Sequence, residues 1–154
     1  MHEHCFSSGP EVCVELQYNK GVLSRIALKS ARRFVCRTAG SERADDAIAW
    51  LEAYSRKKPI TARHLLNLSA LPPFHQEVLS YLQSVPFGET QSYGDVAQAV
   101  GNPRAARAVG SACNRNPFPL LIPCHRVIAA NGTLGGFAID MRIKGALLEF
   151  EGNS

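Results

Sequence analysis

The most reactive segment of the chain is the run Pro123-Cys124-His125-Arg126-Val127. A cysteine thiolate is a strong nucleophile that needs no metal or cofactor, and nearby cations favour the thiolate over the thiol. His125 and Arg126 therefore predict an electropositive environment for Cys124 and a nucleophilic function. The alternative is a buried structural cysteine beside a histidine that is hydrogen-bonded for packing. Adjacent side chains tend to point in different directions, so a water bridge between Cys124 and His125 fits the sequence as well as direct contact.

Composition places this chemistry in an ordinary globular protein. Of 154 residues, 45% are hydrophobic and 19% are charged, which argues against disordered and fibrous classes. Every apolar run is interrupted before it reaches the length of a membrane span, and the N-terminus lacks the pattern of a secretory signal. We therefore expect no membrane association and a cytoplasmic protein, or a nuclear one in a eukaryote. Five cysteines, an odd number, are typical of free thiols in a reducing compartment.

The distribution of charge along the chain says more about a binding partner than the net charge does. The net charge of +4 permits a polyanionic partner such as DNA without establishing one. Residues 1–70 carry 11 basic and 7 acidic side chains, whereas residues 71–154 carry six of each. Positions 96–139 contain no acidic residue and four arginines, namely Arg104, Arg107, Arg115 and Arg126. This acid-free stretch around Cys124 favours nucleic-acid binding, with a modest salt dependence because few phosphates can be neutralised.

The first seventy residues have the pattern of a β-sheet lobe with one helix. Val12, Val14 and Leu16 alternate with more polar neighbours, and Asn19-Lys20-Gly21 marks a hairpin before a second strand. A third strand is predicted around residues 34–36. A helix capped by Ser41 follows, and its apolar stripe consists of Ala44, Ile48, Leu51 and Tyr54.

The remaining residues have a helical pattern. The step Leu71-Pro72-Pro73 predicts a boundary between a domain of residues 1–70 and a domain of residues 71–154. A helix follows from Phe74 to Leu82. Two shorter helices, 95–100 and 104–114, have the outline of a helix-turn-helix, with Pro103 at the first position of the second. A last helix is expected at residues 141–150.

Cys124 and its neighbours belong to a longer resemblance. The run Pro123-Cys124-His125-Arg126-Val127 resembles the active-site signature of the O6-alkylguanine-DNA alkyltransferases, the suicidal DNA-repair proteins. The similarity continues through residues 88–97, 101–110 and 116–117, and downstream at Lys144, Leu147-Leu148 and Glu151-Gly152. It covers roughly residues 74–152. The resemblance implies an α+β protein with an N-terminal RNase H-like β-sheet lobe and a C-terminal helix-turn-helix, winged-helix-like lobe that carries Cys124.

The resemblance also implies a reaction. Cys124 resembles the acceptor that takes the alkyl group from O6-alkylguanine in duplex DNA once per molecule, with O4-alkylthymine as a further candidate substrate and no cofactor. His125 resembles the base that acts on the thiol through a water, and Glu151 resembles the carboxylate that orients the imidazole. Tyr93 resembles the residue that hydrogen-bonds the flipped guanine and helps the leaving purine to accept a proton.

The expected DNA contacts follow from the same similarity, for a monomer bound through the minor groove. Arg107 resembles the finger that takes the place of the extruded nucleotide. Arg104 and Arg115 are expected to contact DNA, and the small residues Ala105, Ala106 and Gly110 suit close approach. Asn116 resembles the hinge asparagine that ties the recognition helix to the active-site turn. The substrate pocket is expected to include Arg126, the backbone of Val127, Phe137 and Ala138.

Two features depart from the family pattern. The segment Phe137-Ala138-Ile139-Asp140 stands where the family usually has aromatic-Ser-x-Gly, which leaves the accepted alkyl size open and gives Asp140 no explanation. Some family members carry zinc in the N-terminal lobe. Candidate ligands here are His2, His4, Cys5, Cys13 and His64, but these positions do not match, so we expect no metal and a flexible N-terminal end.

Two other functions remain open on the sequence. A DNA-binding sensor would flip alkylated bases without repairing them, but such relatives replace the nucleophilic cysteine, which is present here as Cys124. A Cys-His hydrolase is the other alternative, and no oxyanion element is recognisable for it.

Overall fold

The computed structural model describes residues 2–39, 44–58, 60–132 and 140–152. Within these residues the chain forms six β-strands and five α-helices, so the predicted α+β class is confirmed. The strands are β1 His2–Cys5, β2 Val12–Asn19, β3 Val22–Ser30, β4 Val35–Thr38, β5 Gln91–Ser92 and β6 Val127–Ile128. The α-helices are α1 Asp45–Ser55, α2 Pro73–Leu82, α3 Tyr93–Ala99, α4 Ala106–Asn114 and α5 Met141–Gly152. Single turns of 3₁₀ helix occupy Arg63–Leu65 and Cys124–Arg126.

The N-terminal half is built on the hairpin that the sequence predicts. Lys20 and Gly21 have φ angles of 52° and 78°, which suit a two-residue turn whose twist matches that of the paired strands. β2 and β3 pair antiparallel on either side of it. The inward-facing Val12, Val14 and Leu16 are buried.

The first strand differs from the prediction. The four-stranded sheet has the order β1-β4-β2-β3, with β4 parallel to β2 and the other pairs antiparallel. The expected flexible end is therefore wrong for His2–Cys5, which pairs along β4. All four β1 residues are exposed, so the backbone hydrogen bonds of this edge strand left no apolar pattern in the sequence.

Helix α1 packs between the N-terminal sheet and the helices of the second half. It begins at Asp45 with Ala44 at the N-cap, and the predicted cap Ser41 lies outside the described residues. Its buried stripe includes Trp50 in addition to Leu51 and Tyr54, whereas Ile48 is only half-buried. One apolar core continues from the sheet through α1 to α2 and α5.

The two helices of the helix-turn-helix begin at other residues than the sequence predicts. Ser92 and Asp95 form a capping box, which begins α3 at Tyr93, two residues earlier than predicted. α4 begins at Ala106, so the prediction that Pro103 opens this helix is wrong: residues 103–105 form a turn before it. α3 and α4 pack against each other, as a helix-turn-helix requires.

The acid at position 140 has a structural role. Asp140 immediately precedes α5, and its Oδ1 accepts a hydrogen bond of 2.8 Å from the Arg142 backbone N–H. An acidic side chain at a helix start satisfies a free N–H group and the helix dipole. In the described part of the chain, no helix combines the length and apolar character needed to cross a membrane.

Candidate active site

Cys124 lies at the start of a 3₁₀ turn that is fixed on both sides. Its N–H donates to the Ile122 carbonyl at 2.7 Å, and the Arg126 N–H donates to the Pro123 carbonyl at 3.0 Å. The turn leads directly into β6, which pairs parallel with β5. Because Tyr93 follows β5, this short pairing brings Tyr93 into the region of Cys124.

The Cys124 thiol is buried, with 1% of the residue exposed. Burial raises the pKa of this thiol to about 11, although a hydrogen bond from Asn116 and the Lys144 charge act to lower it. The thiol is therefore protonated at neutral pH. Burial outweighs the electropositive environment that the sequence predicts around Cys124, and the Arg126 charge is compensated by a carboxylate.

That carboxylate is Glu151, near the end of α5. Its Oε2 lies 2.6 Å from His125 Nε2, and its Oε1 accepts a hydrogen bond of 2.7 Å from Arg126 Nε. Arg126 also donates to Oε2 at 3.2 Å and to the Val85 carbonyl at 2.7 Å. His125, Arg126 and Glu151 are all buried, so these groups form an ion-paired network closed off from solvent.

The protonation states of this network follow from burial and charge. Burial lowers the pKa of His125 and favours the neutral imidazole, against the opposing effect of Glu151. Burial alone would raise the pKa of Glu151, but the hydrogen bonds from His125 and Arg126, together with the Arg126 charge, hold it below its usual value. A carboxylate accepts and cannot donate, so His125 carries its proton on Nε2. Its buried Nδ1 has no hydrogen-bond partner among the described residues and is available as a base.

Asn116 connects the end of α4 to the Cys124 turn. Its Nδ2 donates to the Ile122 carbonyl at 3.0 Å, and its Oδ1 accepts from the Phe118 N–H at 2.9 Å. The same side chain acts to lower the pKa of the Cys124 thiol. The position predicted as a hinge thus ties the end of α4 to the segment that leads into the active-site turn.

Lys144 supplies the cation nearest the thiol. It is fully buried on α5, and its Nζ donates to the Val127 carbonyl at 2.7 Å. Sequence similarity drew attention to Lys144 without a role, whereas the structure places its charge where it favours the Cys124 thiolate. The Val127 carbonyl, which belongs to the predicted substrate pocket, is engaged by this lysine.

Tyr54 is a member of the site that the sequence analysis missed. Its hydroxyl donates to Glu151 Oε2 at 2.6 Å, across 97 positions in the chain. The sequence contains no local signal for this bond, because Tyr54 fits the apolar stripe of α1. The sequence therefore indicates only a core residue at this position.

The predicted DNA-contacting arginines are exposed, in contrast to Arg126. Arg104, Arg107 and Arg115 are exposed, whereas Arg126 is buried against Glu151 and does not contribute to a basic face. Ala105, Ala106 and Gly110 are half-buried, with Ala105 at the N-cap of α4. A side-chain carbon added to Gly110 would lie 3.8 Å from the Tyr93 ring, an ordinary van der Waals distance, so α4 lies beside Tyr93 at this position without requiring a glycine there.

Other predictions concern residues that the structure does not bring into the site. Phe137 and Ala138 lie outside the described residues. The candidate zinc ligands are spread over β1, β2 and a 3₁₀ turn. Within the described ranges, no group of three or more metal-binding side chains could hold an ion.

Comparison with known proteins agrees with this geometry. A family model described as "6-O-methylguanine DNA methyltransferase, DNA binding domain" matches residues 73–153, which is more than half of the chain. The chain belongs to this methyltransferase family. The match contains Cys124, His125 and Glu151, together with the helices that carry Tyr93 and Arg107.

Individual members of the methyltransferase family show the extent of the similarity. The methylated-DNA–protein-cysteine methyltransferase of Methanosarcina acetivorans is 51% identical over 80 residues, 52% of this chain and 51% of that protein. The protein of the same name from Mycobacterium leprae is 43% identical over 106 residues, 69% of this chain and 64% of that protein. The aligned part of the chain thus spans between about half and two thirds of these curated relatives.

A solved structure extends the similarity to both halves of the fold. The crystal structure of OGT from Mycobacterium tuberculosis in complex with DNA matches 90% of this chain and 85% of its own chain. The TM-score is 0.72, and 34% of the aligned residues are identical. The N-terminal sheet, whose sequence resembles the family only in its general pattern, is therefore part of the shared fold.

Proposed function

We propose that this protein repairs O6-alkylguanine in duplex DNA by transferring the alkyl group to Cys124, once per molecule. The observation that carries the proposal is the buried His125, whose Nε2 lies 2.6 Å from Glu151 and whose Nδ1 has no hydrogen-bond partner among the described residues, in the same turn as a buried thiol. Family membership supplies the chemical class. The relatives' names support a methylated base in DNA as the alkyl donor.

The proposed reaction begins by removing the thiol proton. His125 Nδ1 takes this proton through a water, while Lys144 and the Asn116 hydrogen bond stabilise the developing thiolate. Sγ then attacks the alkyl carbon in line with its bond to O6. The Sγ–C bond forms as the C–O6 bond breaks, and the bonding electron pair stays on the guanine.

The leaving guanine needs a proton to become neutral. Burial raises the pKa of Tyr93 to about 12, so its hydroxyl remains a donor at neutral pH and can stabilise the charge on the purine. The proton taken from the thiol reaches the guanine by way of solvent, and the guanine remains part of the DNA. The cysteine becomes a thioether that no group in this scheme cleaves, so each molecule reacts once. The step as proposed uses a single chain and no cofactor.

Access to O6 requires that the nucleotide leave the base stack. Flipping costs a few kcal/mol, which contacts in the opened duplex must offset. The exposed Arg107 on α4 is suited to fill the gap from the minor groove because its planar guanidinium can both stack and donate hydrogen bonds. Arg104 and Arg115 are proposed phosphate contacts beside it.

The test is the mass of the protein after incubation with duplex DNA that contains one O6-methylguanine. We expect one methyl group per protein, located on the Cys124 peptide, with guanine restored in the DNA. Cys5 is the internal control, because an exposed thiol would be modified first by a nonspecific methyl donor. Cys113→Ala should retain transfer and Cys124→Ala should abolish it. Tight DNA binding without transfer would instead indicate a sensor, and repeated turnover of an ester would indicate a hydrolase.

A further inference from the structure

We propose that Tyr54 is a positioning residue for alkyl transfer: its hydroxyl anchors Glu151 and thereby holds His125 in the tautomer whose Nδ1 receives the thiol proton. This inference rests on the proposed function and deepens it. It assigns to the N-terminal half, whose contribution the sequence left undefined, one group that acts on the reacting residues through a neighbour.

The Tyr54 ring is held from several sides. It lies in the last turn of α1, with no exposed surface. The Trp50 ring stacks on it at a centroid distance of 5.4 Å, and the Phe87 and Phe150 rings lie at 5.5 and 5.4 Å. Since close packing restricts the ring to one orientation, the hydroxyl is aimed at Glu151 before any substrate binds.

The hydrogen bonds on Glu151 divide between its two oxygens. Oε1 accepts from Arg126 Nε, whereas Oε2 accepts from Tyr54, from His125 and, at 3.2 Å, from Arg126. Without Tyr54, the oxygen that faces His125 would keep only the longer Arg126 bond as a second partner. Oε2 would still accept from His125, but with one fixed donor fewer to hold the plane of the carboxylate, so the direction of Nε2–H would be less sharply defined.

A phenol suits this position because it donates without adding charge. Burial and the Glu151 charge raise the pKa of Tyr54, so the hydroxyl keeps its proton over the working pH range. Its donation also withdraws negative charge from Oε2. Glu151 therefore stabilises a protonated His125 less than it would otherwise, which helps to keep the imidazole neutral and able to act as a base.

Other charged and titratable groups face the same network. Arg126 comes from the 3₁₀ turn and Lys144 from α5, and both act to lower the pKa of His125. The Cys124 thiol precedes His125 in the same turn. None of these groups is altered when the Tyr54 hydroxyl alone is removed, so a change in the titration of His125 can be attributed to that hydroxyl.

The experiment compares Tyr54→Phe with the wild type and with Tyr81→Phe. The control also loses one hydroxyl, whose hydrogen bond of 2.8 Å to Gln91 lies outside the Glu151 network. The first measurement is the ¹⁵N NMR titration of the histidine imidazoles in unmodified protein. The second is the single-turnover methyl-transfer rate at saturating O6-methylguanine duplex as a function of pH, together with DNA affinity.

For Tyr54→Phe we expect transfer to slow about tenfold, the effect of one buried hydrogen bond to a charged group, with DNA affinity unchanged. The His125 titration midpoint should rise, and the acidic limb of the rate profile should move with it. Tyr81→Phe should leave both measurements unchanged. In a Glu151→Gln background, adding Tyr54→Phe should have little further effect on the rate, because the two groups act as one unit.

The outcomes separate this inference from the proposed function. If the wild type places no methyl group on Cys124, the proposed function fails, while the NMR titration still tests the Tyr54–Glu151–His125 coupling. If Tyr54→Phe leaves both the rate and the His125 midpoint at wild-type values, the positioning role is overturned. Should Tyr54→Phe unfold, the wild-type ¹⁵N spectrum decides: a neutral His125 protonated on Nδ1 instead of Nε2 refutes the role.

Discussion

Replacing Glu151 by glutamine should destabilise the folded protein strongly, although glutamine has nearly the same shape. Arg126 would lose its carboxylate while its side chain remains 7% exposed. Removing one partner of a buried ion pair typically costs about 3–5 kcal/mol, because the other charge stays buried without compensation. The lowered pKa of Glu151 agrees with this sign, because its hydrogen bonds and the Arg126 charge favour the carboxylate in the folded protein.

The sign of the pH dependence follows from the same shift. Because the folded pKa of Glu151 is depressed, its stabilisation is complete above the unfolded pKa and is lost as pH falls towards 2. The lowered pKa of His125 acts in the same direction, since folding disfavours its protonated form. The difference in unfolding free energy between wild type and Glu151→Gln should therefore be largest above pH 4.5 and shrink in acid.

Urea unfolding followed by circular dichroism at several pH values measures this difference. Glu149→Gln is the matched control, because Glu149 is exposed on the same helix and its loss should change stability by no more than about 0.5 kcal/mol. The double variant Arg126→Met with Glu151→Gln should recover much of the lost stability by removing the unpaired cation. The reasoning is refuted if Glu151→Gln behaves like Glu149→Gln, or if its deficit is independent of pH.

Three further predictions concern the thiol and the DNA surface. Cys124 should react with iodoacetamide far more slowly than the exposed Cys5 at neutral pH, because its pKa is raised to about 11 by burial; equal rates by peptide mapping would contradict this. Lys144→Met should slow methyl transfer and move the increase of the rate with pH to higher pH, since the buried charge lowers the pKa of Cys124; an unchanged pH–rate profile would exclude this role. Arg107→Ala should slow transfer from duplex DNA more than transfer from the free base O6-methylguanine, with Arg25→Ala as an exposed control; an equal loss on both substrates would argue against flipping.

Local sequence signals predicted much of the fold. Lys20-Gly21 predicted the hairpin because a two-residue turn with positive φ angles depends on those residues and little else. The helix predicted from Phe74 to Leu82 is found as α2, Pro73–Leu82, because a proline at the first helical position is also a local signal. The start of α4 and the pairing of His2–Cys5 were predicted wrongly, since a turn after Pro103 and backbone bonds to a distant strand leave no periodic pattern.

The sequence by itself determined which groups are available for chemistry: the thiol of Cys124, the imidazole of His125 and the family to which their motif points. Only the tertiary structure decided their protonation states. Burial keeps Cys124 a thiol. Glu151 neutralises Arg126, which the sequence counted among the arginines available to DNA. The tertiary structure also brings the Tyr54 hydroxyl to Glu151, 97 positions away in the sequence. Desolvation and ion pairing depend on what surrounds a group in space, and the order of residues along the chain does not specify that.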